Sequence, residues 1–276
     1  MTVILWAMTL AWAGPVDGLS AFVFTPTLQA SDAAGPLLLW QPASVDKPAF
    51  YGGLAVEYNT GIVELRGPND EVEELLGDLW TVDLVFGTRL PPGFAISLTA
   101  PIHLAATGSS SPHSPVPGDP RLALMVPLVA SSSFEAAVVP FVDIPLGPEQ
   151  YLLGHGGVAG GALVTTRLQQ GPFSWTTNIG AMGTPPIHYY DARGGARLIL
   201  GIGTGLTLGH SFGLIAEAHL HPSLHYNRVG LTESPGKVLV AARIRDSIGW
   251  LTVGGTAGLT PGIGSPLWGL ILATGR

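Results

Sequence analysis

The amino-acid sequence predicts an all-β protein, an antiparallel up-and-down transmembrane β-barrel of about 12 strands. Hydrophobic residues make up 46% of the chain and charged residues only 11%, whereas a water-soluble domain carries roughly 25% charged residues. No internal run of about 18 apolar residues resembles a membrane helix. Because only helices and closed barrels satisfy every backbone hydrogen bond inside a bilayer, strands are the predicted way across.

The clearest strand signal is the stretch from Gly195 to Leu224. From 198 to 207, large apolar residues mostly alternate with glycine and threonine, and a period of two resumes after a turn at Gly209-His210-Ser211. Such alternation on both sides of a short turn predicts a β-hairpin. In an outer-membrane barrel the apolar face meets lipid and the other face lines the lumen.

The same rhythm begins at Phe50 and continues to the end of the chain. The predicted strands are 50–60, 77–88, 93–104, 119–129, 133–145, 156–167, 172–182, 195–207, 211–223, 237–246, 249–260 and 265–274. Short turns alternate with long connections at 61–76, 105–118, 146–155, 183–194 and 224–236. This alternation is typical of a transmembrane barrel with short periplasmic turns and long outer loops, and a β-sandwich gives no reason for it. We therefore predict a barrel over residues 49–276.

The residues before the barrel divide into two predicted parts. Residues 1–13 resemble a signal peptide, because an apolar run ends in an Ala11-Trp12-Ala13 cleavage pattern. The usual positive start is missing, and a buried N-terminal strand is the alternative. Residues 14–48 are interpreted as a periplasmic or lumenal N-terminal segment. Together with the barrel, these features predict a location in a Gram-negative outer membrane.

Three stretches resemble a known family. GDPRLALMVPL at 118–128, FVDIPLGPEQYLLGHGGVAGG at 141–161 and GTAGLTPGIGSPLWGLILATG at 255–275 are similar to the barrel portion of OmpA-family outer-membrane proteins of the myxobacterial type. The resemblance covers residues 37–275 and implies a barrel type, not a chemistry. That family usually continues into a peptidoglycan-binding domain, which is lacking after Arg276, so peptidoglycan anchoring is not implied here.

Charged residues on the inward face are the candidate functional residues. Alternation predicts that six side chains line the lumen: Glu57, Asp83, Glu217, His219, Arg243 and Arg245. Counting outward from the loop 224–236 places Glu217 and Arg243 at about the same depth on adjacent strands. Opposite charges that face each other across a strand pair attract, so the sequence predicts a contact between these two that narrows the lumen.

Two patterns could bind metal, and each has a simpler interpretation. His219, His221 and His225 could chelate zinc or copper, but a polar lumen wall explains them better. The acidic run at 69–74 could bind calcium, but we favour a short helical turn capped by Asp70 with Glu73 completing the cap. We predict no metal site and no cofactor.

Catalysis and nucleic-acid binding are not predicted. A 12-stranded outer-membrane phospholipase is a precedent for an enzyme on this scaffold, yet no G-x-S-x-G elbow is present. His103 with Ser97 and Asn178 with Ser174 do not form that family's serine–histidine–asparagine cluster. A formal charge of −7 argues against a polyanion partner. The predicted partners are outer-membrane lipid and small solutes.

The predicted function is a narrow pore or transporter for small solutes. Barrels of 8 strands are filled by side chains and barrels of 16 leave an open channel, so lumen packing decides for 12. The many small residues on the inward face favour some open space. The alternative is a non-conducting structural or interaction barrel that presents long outer loops to a partner.

Overall fold

The computed structural model describes residues 26–27, 34–42, 48–66, 72–189, 192–225, 228–230, 234–260 and 263–276. The predicted signal peptide, residues 1–13, lies outside these ranges. Within them the secondary structure is β, apart from one 3-10 turn at Glu149–Tyr151. No described helix has the length and apolarity needed to span a membrane.

Twelve antiparallel strands close into a barrel, which confirms the predicted fold class. They are β1 (Ala49–Thr60), β2 (Leu79–Leu90), β3 (Phe94–Ala106), β4 (Arg121–Ala130), β5 (Phe134–Asp143), β6 (Ala159–Gln170), β7 (Phe173–Tyr189), β8 (Ala192–Leu208), β9 (Phe212–Leu220), β10 (Gly236–Arg245), β11 (Trp250–Gly258) and β12 (Trp268–Gly275). Each strand pairs with the next in the chain, and β1 pairs with β12 from Gly53↔Gly275 to Thr60↔Trp268. No edge is left open, so the backbone is satisfied all round the barrel.

The predicted long loop at 183–194 is wrong, because β7 and β8 continue through it as one tall hairpin. Their pairing reaches Tyr189↔Ala192, with a register shift between Gly183 and Ile187. The shift coincides with Pro185 and Pro186, which have no backbone N–H to donate to a ladder. The irregularity that looked like a loop in the sequence is therefore a bulge inside a hairpin.

The predicted helical turn in the first long loop is also wrong. Val63–Arg66 and Val72–Leu76 form a short hairpin, and Glu73 pairs with Leu65 in it. Asp70, the predicted cap, lies outside the described residues. The hairpin is favoured here because Ile62, Val63, Leu75 and Leu76 bury their apolar side chains in a cluster with Leu79, Leu152 and Leu153.

The long loops pack into an apolar cluster over one end of the barrel, which we call the loop cap. Its buried members are Ile62, Val63, Leu75, Leu76, Leu79, Leu152 and Leu153. Asp119 fastens two of the loops, since it accepts hydrogen bonds from the backbone N–H groups of Gly147 (2.7 Å) and His155 (2.7 Å). The His155 ring Nδ1 lies 2.8 Å from the same carboxylate.

The outer face of the barrel is apolar, and aromatic residues mark its long-loop end. Tyr58 packs against Trp80 (ring centroids 4.9 Å apart) and Trp268 (5.4 Å), as expected at a membrane interface. Trp250, at the start of β11, instead faces the lumen and is 8% exposed. Strand alternation explains this orientation, because Thr252, two residues further on and on the same face of β11, is also buried.

A charge placed on the lipid face should be costly in proportion to its depth. Ile202, near the middle of β8, is 54% exposed, and Leu208, at the end of the strand, is 46% exposed. We expect Ile202→Arg to lower the free energy of unfolding in lipid vesicles by about 2–4 kcal/mol and Leu208→Arg by about 0–1 kcal/mol. Equal costs in urea titrations would show that this face does not meet lipid.

The loop cap should loosen in acid. Burial alone would raise the pKa of Asp119, but hydrogen bonds from the His155 ring and from the amides of Gly147 and His155 hold that pKa below its ordinary value. A depressed carboxyl pKa contributes stability that is complete above about pH 4 and is lost as pH falls through the folded-state pKa. Hydrogen exchange at residues 146–155, corrected for intrinsic rates, should lose protection in that window.

Asp119→Ala should remove the same protection already at neutral pH. Asp246→Ala, in a short turn at the opposite end of the barrel, is the control and should leave residues 146–155 protected. Unchanged exchange in Asp119→Ala would show that the carboxylate does not fasten these loops.

Candidate functional site

The lumen is occupied by residues 34–42, which we call the plug segment. Every residue of it is buried. Leu37 and Leu38 pack on one half of the wall, and Trp40 packs on the other half. The first half comprises Ala55, Val85, Ile215, Leu239, Ala241, Trp250, Ile271 and Ala273. The second comprises Ala95, Ala123, Met125, Ala137, Val139, Phe141, Ala159, Leu163, Met182 and Ile199.

A stripe of glycines on β8 makes room for the plug segment. A Cβ added at Gly203 would lie 2.7 Å from Leu39 Cδ1, and one added at Gly201 would collide with Leu39 Cδ2. At Gly205 the added atom would collide with the backbone oxygen of Ala34. The sequence predicted small lumen residues at these positions, and the structure shows that their smallness seats a segment of the same chain.

Glu217 holds the plug segment through its backbone. Its carboxylate accepts hydrogen bonds from the N–H groups of Leu37, Leu38 (3.0 Å) and Leu39 (3.2 Å). His219 Nε2 lies 3.0 Å from Glu217 Oε2, the oxygen that accepts from Leu38 and Leu39. Successive backbone N–H groups that converge on one point form an anion-binding concavity, and here the anion is a wall side chain.

Further polar contacts fix both ends of the plug segment. Arg243 Nη1 donates to the Gly35 carbonyl (2.6 Å), its Nε donates to Thr252 Oγ1 (2.7 Å), and its guanidinium stacks 4.5 Å from the Trp250 ring. At the other end Thr165 Oγ1 donates to the Trp40 carbonyl (2.6 Å). These groups satisfy backbone atoms that the apolar lumen would otherwise leave unpaired.

A second polar group crosses the lumen beside the plug segment. Lys237 of β10 forms an ion pair with Glu57 of β1, and both are almost completely buried. Asp83 of β2 is also 0% exposed, and neither of its carboxylate oxygens has a hydrogen-bond partner among the described residues. One lysine therefore faces two carboxylates in this part of the lumen.

Basic side chains gather between the plug segment and the loop cap. Arg121 forms a two-pronged ion pair with Asp143 (2.7 and 2.9 Å). A cavity of about 30 Å³ is lined by Arg121, His219, His221, Asn178 and the plug residues Leu38, Leu39 and Trp40. Arg197 lies on the inward face of β8 beside this cavity and is 4% exposed.

The predicted contact between Glu217 and Arg243 is wrong. In the β9–β10 ladder Glu217 stands opposite Leu239, and Arg243 stands opposite Gly213. The two charges are therefore four residues out of register, about 13 Å along the strands. The cause is that β9 ends at Leu220 and the chain turns into a small hairpin of Ser223–His225 with Arg228–Gly230, so the loop does not begin where the sequence pattern suggested.

The structure distributes the predicted lumen residues over several surroundings. Glu57, Asp83, Glu217, His219 and Arg243 are all buried inside the barrel. Arg245, two residues beyond Arg243, is exposed at the end of β10. The side chain of His225 is outside what the structure describes, and the described residues contain no group of three or more potential metal ligands.

Sequence reasoning did not single out Lys237 or Arg197, and it left residues 14–48 open between a periplasmic and a lumenal position, of which the plug segment takes the lumenal one. Lys237 and Arg197 carried a usable signal, because strand alternation places the side chains of both residues on the inward face. The plug segment gave only a weak one, an apolar Leu37-Leu38-Leu39-Trp40 run between Pro36 and Pro42. Nothing in that run shows which cavity it fills.

Removing the lysine of the cross-lumen pair should be strongly destabilising. Lys237→Met leaves Glu57 and Asp83 buried without a counter-charge, and breaking a buried pair in this way costs about 3–5 kcal/mol. We expect the triple variant Lys237→Met/Glu57→Gln/Asp83→Asn, which neutralises both carboxylates, to recover most of that loss in urea unfolding. A single variant as stable as the parent would show that the pair is not desolvated.

No protein-family model matches the sequence, and no curated protein matches it either. Among solved structures, the fold is similar to an outer-membrane channel from Pseudomonas putida F1, with a TM-score of 0.62 and 11% identity over 90% of this chain and 99% of that chain. It is also similar to the NanC porin, with a TM-score of 0.57 and 7% identity over 81% of this chain and 97% of that chain. This likeness establishes a barrel fold of the outer-membrane channel type.

Proposed function

We propose that this protein is a small-solute channel of a Gram-negative outer membrane and that its own plug segment closes it. The observation that carries the proposal is the plug segment itself. It is a separate stretch of chain seated in the lumen on a glycine stripe, and its backbone is held by the Glu217 carboxylate. The apolar outer face and the barrel fold support the location.

The way in which the plug segment is held supports reversible closure. Hydrogen bonds to a charged group contribute about 1.5–3 kcal/mol each, and those to Glu217 can be exchanged for water. When the plug segment leaves and water fills the lumen, water solvates the Glu217 carboxylate. Release of the segment therefore leaves no buried charge without a partner there. A wall built only to enclose a permanent core would need no ionised group at the centre of that contact.

The wall behind the plug segment supports a passage once the segment leaves. Gly201, Gly203 and Gly205 present no side chains, and their neighbours on the inward face of β9 are His219, Glu217 and Ile215. Twelve strands enclose more space than the eight whose lumen side chains fill completely. The open bore would be narrow, which suits small solutes.

A non-conducting structural barrel is the second candidate, and two observations favour it. The Lys237–Glu57 pair spans the lumen beside the plug segment, and the loop cap covers the long-loop end with its own apolar cluster. In this alternative the plug segment is a permanent core, and the loops present a surface to a partner. Conductance measurements on variants with a displaced plug segment separate the two functions.

Conductance in planar bilayers should rise when the plug segment is displaced. Gly205→Val places side-chain atoms where Ala34 sits, and Glu217→Gln replaces the anion that binds three N–H groups with a neutral amide. We expect both variants to show larger or more frequent open events than the parent.

Gly195→Val is the matched control, because an added Cβ there would approach only the Thr184 oxygen, at 3.9 Å. It lies on the same strand and should behave as the parent does. Silent bilayers for Gly205→Val and Glu217→Gln, with limited proteolysis showing that residues 34–42 have left the lumen, would rule out the channel and leave the structural barrel.

A further inference from the structure

Arg197 is a buried cation that has no counter-charge among the residues that the structure describes. It is more than nine-tenths buried, and no described residue accepts a hydrogen bond from its Nε or Nη1. Among the described residues, the two other cationic side chains buried as deeply have polar partners: Lys237 pairs with Glu57, and Arg243 donates hydrogen bonds to Thr252 and the Gly35 carbonyl. An unpaired guanidinium in a low-dielectric site is strongly unfavourable, so its presence calls for an anion.

Arg197 borders the cavity that lies between the plug segment and the loop cap. Met182, its cross-strand partner on β7, and Ile199, the next inward residue of β8, both line that cavity. His221, another lining residue, lies close enough to feel the charges of Arg197, Arg121 and His219. Arg197 therefore lies beside a small space whose polar lining consists of Arg121, His219, His221 and the neutral Asn178.

The carboxylates near this space are already engaged. Asp143 is bound by both prongs of Arg121, and Glu217 is bound by the plug segment and His219. Neither pairs with Arg197. The excess positive charge at this level of the lumen is therefore carried by Arg197.

We propose that Arg197 is the centre of an oxyanion-binding site in the outer part of the lumen, which takes the carboxylate or phosphate group of a small solute. Arginine suits such groups, because its planar guanidinium presents several N–H donors to oxyanions. Arg121 would add positive potential, and Asn178 and His221 would add neutral polar groups. The cavity of about 30 Å³ holds little more than a water molecule, so the charged group of the solute enters as Leu39 and Trp40 withdraw.

The inference deepens the proposed function by naming the solute class, and its test does not need conductance. Acetate and inorganic phosphate are titrated separately into the folded barrel in neutral detergent, and heats of binding are measured. Binding of either probe is expected in the parent. The probe that binds more tightly identifies the charged group of the solute as a carboxylate or a phosphate.

Arg197→Gln should weaken binding of that probe by about tenfold to a hundredfold, the value of one hydrogen bond to a charged group. Arg197→Lys keeps the charge and should lose less. Arg245→Gln removes the same charge at the exposed end of β10 and should bind as the parent does. Because no described residue pairs with Arg197, Arg197→Gln leaves no group without its partner and should fold at least as well as the parent. Arg121→Gln, in contrast, leaves Asp143 unpaired and should be less stable.

Absence of binding by both probes in the parent, or equal binding by the parent and Arg197→Gln, would overturn the site. Loss of stability in Arg197→Gln equal to that in Arg121→Gln would also overturn it, because the guanidinium would then have a structural partner. Binding that depends on Arg197 in a barrel that never conducts would keep the site and reject the channel. Conductance without anion binding would keep the channel and reject the site.

Discussion

The carboxylate of Glu217 is the interaction on which the rest of the lumen depends. Three consecutive N–H groups of the plug segment point at it, so one side chain fixes the path of a stretch that has no regular secondary structure of its own. With that path fixed, Leu37 and Leu38 meet one half of the wall and Trp40 meets the other half. The glycines of β8 are then required, because any side chain there would occupy the same space.

Strand alternation gives this barrel two different surfaces from one repeating pattern. Outward positions carry large apolar side chains for lipid, and inward positions carry glycine, small residues and charges. The inward charges are then divided by depth. Arg243 lies near the short turns, Glu217 holds the centre, and Arg121, Arg197 and the histidines lie beyond it, so a solute would meet basic groups on the side of the loop cap.

The barrel could be predicted because its signal is local and repeated. A period of two in strands such as β8 and β9, and the alternation of short and long connections, both follow from backbone geometry. The tall hairpin at 183–194 could not be predicted, because Pro185 and Pro186 look like a loop unless the pairing on either side is known. The resemblance to myxobacterial OmpA-family barrels and the signal peptide at 1–13 both stay predictions.

The candidate site was less predictable than the fold because it depends on long-range register and on a segment outside the strands. Strand alternation predicted that Glu217 faces inward. It did not predict the partner of Glu217, because the expected β9–β10 register was wrong by four residues and Arg243 lies elsewhere on its strand. Glu57 and Lys237 meet across the lumen from strands that are not neighbours. Such a contact depends on how the barrel closes, which no local pattern encodes.

The most direct test of the account is to lock the plug segment to the wall and release it. The chain has no cysteine, so Ala34→Cys with Gly205→Cys would give one disulfide. The added Cβ at Gly205 would lie 2.8 Å from Ala34 Cβ and would also collide with the Ala34 carbonyl, so residue 34 must shift by about 1 Å to reach disulfide geometry, and the covalent bond rather than packing then holds it in the lumen. We predict a closed barrel when the pair is oxidised and ion conductance on reduction. The same conductance before and after reduction would contradict closure by this segment.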